Sequence, residues 1–146
     1  MSTSPTSTGF DLKSVSTSNE DAGIEIHVKD ASGERMYFGE GEAQRPVTIR
    51  VAGTYSKAYR AAVDAQRDRL VKQRRTSLTG EQLGRQQLEL TAACVLSWQG
   101  FVAGADPCPC TKENVIAVLQ AAPWIREQVE ETASDHAAFF STSSAT

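Results

Sequence analysis

The chain has 146 residues, 40% hydrophobic and 23% charged, with mean hydropathy −0.35 and a formal net charge of −3. That is the profile of one soluble globular domain, large enough to fold on a modest core without disulfides or metal as staples. It excludes a helical membrane span, which takes ~20 continuous apolar residues, and Met1-Ser2-Thr3-Ser4-Pro5 lacks the basic start and apolar run of a secretory signal.

Three cysteines, Cys94, Cys108 and Cys110, make an odd count at low density and read as free thiols of a cytosolic protein. Ten of the first 20 residues are Ser or Thr, so 1–22 is expected to be a disordered tail, as is 141–146, leaving one packed domain over 23–140.

Ile24, Ile26 and Val28 alternate with Glu25, His27 and Lys29, the pattern of a strand with one buried face. Asp30-Ala31-Ser32-Gly33 signals a turn, residues 35–38 a returning strand, and Val47-Thr48-Ile49-Arg50-Val51 a third strand. Three short strands are not stable alone and need a helix on their apolar face. After the turn and cap residues Gly53-Thr54-Tyr55-Ser56, helical spacing runs through Tyr59, Ala62, Val63, Gln66 and Leu70 to about Arg75.

Thr79 with Gln82 forms a capping-box pattern, and Leu83, Leu88, Thr91, Val95 and Trp98 continue a second helical stripe, stopped by Gly100. Trp98 is expected to plug the core. The prolines at 107 and 109 keep the following loop out of a helix. Thr111 caps a third helix with Val115, Ile116 and Leu119 inward, and Pro123 opens a fourth carrying Ile125, Val129, Thr132, His136 and Phe140. The fold class is therefore α+β: a small N-terminal antiparallel sheet of about three strands, then about four helices.

No motif commits the chain to catalysis, a metal or a cofactor. Cys108-Pro109-Cys110 invites zinc, but its further ligands would have to come from Cys94, His27 and His136, at no recognised spacing. His136, on an otherwise apolar stripe, reads as a half-buried packing residue bonded to a carbonyl, and no Ser, Cys or Asp stands at a nucleophile-system spacing. Gly33, Gly39 and Gly41 lie between strands and do not open a phosphate-binding helix. No enzyme is expected.

Charge is unevenly spread. Residues 54–75 hold Lys57, Arg60, Arg67, Arg69, Lys72, Arg74 and Arg75 against Asp64 and Asp68, a balance of +5, whereas 111–146 balances to −3. A solvated face, docking to an acidic protein surface or to a second copy, and phosphate contact all fit the basic helix. The lack of interleaved aromatic or base-reading residues argues against nucleic acid. The expected partner contacts are Tyr55, Tyr59, Arg60, Arg67, Arg74, Arg75 and Trp124, because interface anchors favour Trp, Tyr and Arg.

Several segments together resemble the tail assembly chaperones and related small tail proteins of long-tailed bacteriophages and prophages: Ile26-His27-Val28-Lys29-Asp30-Ala31-Ser32-Gly33-Glu34, Pro46-Val47-Thr48-Ile49, Ser56-Lys57-Ala58-Tyr59-Arg60, Trp98-Gln99-Gly100-Phe101, Thr111-Lys112-Glu113-Asn114-Val115, Trp124-Ile125-Arg126-Glu127-Gln128-Val129 and Phe139-Phe140. The resemblance spans roughly 24–140. It implies a non-enzymatic factor in the host cell cytoplasm that binds the tape-measure protein, tail-tube subunits or both while the tail is built. The alternatives are a structural tail or connector subunit retained in the virion, and a small DNA-binding regulator using the basic helix 54–75.

Overall fold

A computed structural model describes residues 9–12, 16–74 and 76–144. A three-stranded antiparallel sheet of order β1-β4-β5 forms its floor, built from β1 (Ile24–His27), β4 (Thr48–Val51) and β5 (Val95–Gln99). Between the first two, β2 (Tyr37–Phe38) and β3 (Arg45–Pro46) form a short separate ladder. Ile26 lies opposite Ile49, and Ile49 opposite Trp98, so apolar residues of all three strands share one face. Glu25, Arg50 and Ser97 line up on the other.

Helices α3 (Gly80–Ala93), α4 (Lys112–Ala121) and α5 (Pro123–Ser134) cover the apolar face, and α2 (Lys57–Lys72) packs on α3. Leu88 and Ala92 of α3, Val115 and Leu119 of α4, and Ile125 and Val129 of α5 meet Ile49 and Val51 in one buried cluster. Each helix starts where its sequence directs. Ser56, Thr79 and Thr111 accept backbone N–H groups of Tyr59, Gln82 and Asn114, Thr79 and Gln82 complete the capping box, and Pro123 occupies the first turn of α5.

The α+β class and the sheet-then-helices order hold, with four differences. The second helix ends at Ala93, and Val95–Gln99 is the third strand of the main sheet. The three-residue spacing of Val95 and Trp98 fits a helix and not a regular strand, but the open edge of β4 offers the segment a ladder, and a register irregularity opposite Arg50 and Val51 accommodates the odd spacing. Gly100 (φ 91°) therefore ends a strand. The strand expected over 35–38 shrinks to two residues of the side ladder, plus an isolated bridge between Lys29 and Arg35.

The last helix breaks at Asp135 (φ −89°, ψ 78°), and α6 (His136–Ser144) begins in a new direction. In consequence Phe139 is buried (0%), whereas Phe140, expected inward, is 54% exposed.

The chain ends also differ from expectation. A short helix, α1 (Ser18–Ala22), precedes β1 and contacts α6, which itself runs beyond residue 140. Residues 1–8, 13–15 and 145–146 of the expected tails lie outside the described residues. Among the described residues no helix is long and apolar enough to cross a membrane.

Candidate functional site

The turn from β4 into α2 is held by a polar group that the sequence does not advertise. Glu20 of α1 is 1% exposed, and its carboxylate occupies the space where a Cβ on Gly53 would stand. Its Oε1 accepts the Tyr55 N–H at 2.9 Å, and its Oε2 lies 2.7 Å from Nδ1 of His136. On the far side of the imidazole, Nε2 lies 3.3 Å from Oγ1 of Thr54, and the Tyr55 ring stacks on the imidazole at 3.7 Å between centroids.

Carboxylate, imidazole and hydroxyl in a row is the geometry that activates a nucleophile, so the surrounding donors decide what it does here. A nucleophile needs free amides to stabilise an oxyanion. The Thr54 N–H donates to Ala133 O, that of Tyr55 to Glu20, that of Ser56 to Gly53 O and that of Lys57 to Asp21. All four are committed, so the row acts as a buried staple joining α1, the turn and α6. The packing role expected for His136 stands, but its partner is a carboxylate rather than a carbonyl. Nothing in the spacing could show this, since Glu20 is 116 residues away.

The residues expected to contact a partner fall into separate groups. Tyr55 is 53% exposed with one face against His136, and Tyr59 is half-buried against the core. Arg60 and Arg67 lie two turns apart on the exposed face of α2, with Arg67 3.7 Å from Asp64. Arg74 lies past the helix end in a left-handed conformation (φ 54°), and Arg75 lies outside the described residues. Trp124, 39% exposed, opens α5, a different element.

The sequence reading did not single out a groove of about 490 Å³ between α2 and α4, with α3 beneath. Ala62, Ala65, Ala92 and Val115 line it, and their small size leaves the space open. Arg69 and Lys112 stand at its rim beside Glu89, which Arg69 binds at 2.8 Å. Burial pushes the Glu89 carboxyl upward, but the Arg69 hydrogen bond and charge, with help from Gln66 and Lys112, hold it below its ordinary value. The groove thus has an apolar floor and a cationic rim. Its sequence signal is the run of alanines at helical spacing in α2 and α3.

The cysteines are placed for packing. Cys94 is buried, and burial together with Glu20 pushes its thiol up to about 12. Burial and the neighbouring Cys108 also raise the Cys110 thiol. The Cys108 carbonyl accepts the Trp98 indole N–H at 2.8 Å, which anchors the loop to the half-buried Trp98. Among the described residues no three His, Cys, Asp or Glu side chains converge as a metal site would require.

The family described as YdaY prophage protein matches residues 54–145, well over half of the chain. The matched part contains α2 to α6 and β5, while the strands β1 to β4 precede it. Neither a curated protein nor a solved structure matches the chain. The groove, the basic helix and the α5 surface with Trp124 all lie within the matched residues, and the chain belongs to the YdaY prophage protein family.

Proposed function

We propose that this prophage protein works by binding rather than by chemistry, as a tail assembly chaperone that holds the tape-measure protein, tail-tube subunits or both in the host cytoplasm during tail building. The observation that carries the reading is the surface itself: an apolar groove with Arg69, Glu89 and Lys112 at its rim, and an exposed Trp124. Such a surface makes modest, reversible contacts to apolar helical segments while keeping the complex dispersed. Membership of a prophage protein family supports the phage setting, and the resemblance of the segments quoted above supports the tail.

The test is co-expression with the tape-measure protein of the same prophage. The expected result is that the client stays soluble and co-purifies, and that Tyr55→Ala/Arg60→Glu weakens the complex. Failure of the two proteins to co-purify or to change each other's solubility overturns the reading.

A second reading, a subunit retained in the virion, is favoured by the opposite charges of α2 and α5, which suit repeated stacking. Mass spectrometry of purified particles separates the two, since a subunit is present stoichiometrically and a chaperone is absent.

A further inference from the structure

One face of α5 carries Trp124, Glu127 and Glu131, spaced three and seven residues from the first and so aligned along the helix. All three are exposed, and among the described residues neither carboxylate has an ion-pair partner. The groove between α2 and α4 presents the complement: a small-residue floor, the exposed cation Lys112 and the Arg69–Glu89 pair at its rim, with exposed Lys72 beside Arg69 on α2. At about 490 Å³ it falls in the range of about 300–1,000 Å³ that takes a ligand-sized group such as an indole.

Trp124 cannot enter the groove of its own chain. Lys112 begins α4 and Trp124 follows its end, so the helix separates them by its full length, about 15 Å for ten residues.

We propose that the occupant is a second copy of this chain. Trp124 of one molecule inserts between α2 and α4 of the next, with Glu127 and Glu131 set against Lys112 and Lys72 at the edges of the groove. Charge complementarity selects this occupant: an acidic helix face with one aromatic anchor meets an apolar slot whose edges carry the exposed cations Lys112 and Lys72. The two patches are different, so the contact is head to tail and propagates into a ring or a linear chain rather than a closed two-fold pair. The proposal is independent of any client, because it is read on the pure protein.

The experiment is sedimentation velocity on the full chain over a concentration series, with two variants. Trp124→Ala removes the anchor, and Ala65→Trp fills the slot. Both positions are exposed, and circular dichroism melts check that each variant folds.

Wild type is expected to form species larger than a dimer, weakening as salt rises. Each variant alone should lose self-association by about thirtyfold or more, the scale of a buried tryptophan anchor. Mixed in equal amounts, the two variants should form a dimer and nothing larger, since one supplies the intact slot and the other the intact tryptophan. A wild type that remains monomeric across the series, variants that assemble as wild type does, or a mixture that stays monomeric would each overturn the proposal.

Discussion

Oε2 of Glu20 and Nδ1 of His136 lie 2.7 Å apart and join the first described helix to the last across 116 residues. Because Glu20 also accepts the Tyr55 N–H, its removal leaves an amide and an imidazole without their partner in a buried site. Glu20→Ala is therefore expected to cost about 1–3 kcal/mol, the scale of leaving buried hydrogen-bonding groups without their acceptor. Glu20→Gln, which can still accept from Tyr55, should cost less. Urea denaturation at neutral pH measures both.

Gly53→Ala should act on the same staple from outside it. The added methyl would displace the Glu20 carboxylate, whose position is fixed by two hydrogen bonds. The expected outcome is destabilisation comparable to Glu20→Gln, with the His136 ring resonances shifting in NMR spectra. Unchanged ring resonances would show that the carboxylate gives way without consequence.

Glu89 makes stability depend on acid. Its carboxyl titrates below its ordinary value of 4.5 in the folded protein, so its contribution is complete above that value. The contribution is lost as pH falls through the lower folded value. Arg69→Gln removes the partner at 2.8 Å, and the loss of stability between pH 5 and pH 3 is expected to become shallower than in wild type. Denaturant midpoints at the two pH values decide this.

The three thiols should separate kinetically. With Cys94 buried and its thiol raised to about 12, a disulfide reagent at pH 8 is expected to label Cys108 and Cys110 in the native protein, and Cys94 only after denaturant is added. Fast native labelling of Cys94, read by mass spectrometry of peptides, would contradict the burial.

Gly100→Ala should destabilise by a kcal/mol or more, on the order of the cost of a strained left-handed residue. At φ 91° a side chain is disfavoured, and the new Cβ would stand 2.7 Å from the Phe38 ring. Thermal melts of the variant give the comparison.

The sequence made the helices legible because their signals are local. Ser56, Thr79, Thr111 and Pro123 each mark a start within one turn, and the apolar stripes behind them point inward. Val95–Gln99 reads as helix because Val95 and Trp98 continue the spacing of Leu88 and Thr91, and only the unpaired edge of β4 makes the segment a strand. The site was less legible still. Single residues such as Trp124 and Arg60 were visible, but the groove depends on how α2 and α4 straddle α3, and the Glu20 staple depends on the two ends of the chain meeting.

The late arrival of β5 bears on how the chain folds as it is made. β4 leaves the ribosome before α2 and α3, and its neighbour on one side is not synthesised until both helices are complete. Until β5 is made β4 has an open edge, and Ile49 and Val51 still lack α4 and α5, whose Val115, Leu119, Ile125 and Val129 share their buried cluster, so the incomplete chain exposes an unpaired strand with an apolar face. Closure of the sheet is a long-range step that waits for the α2–α3 hairpin to bring β5 back beside β4.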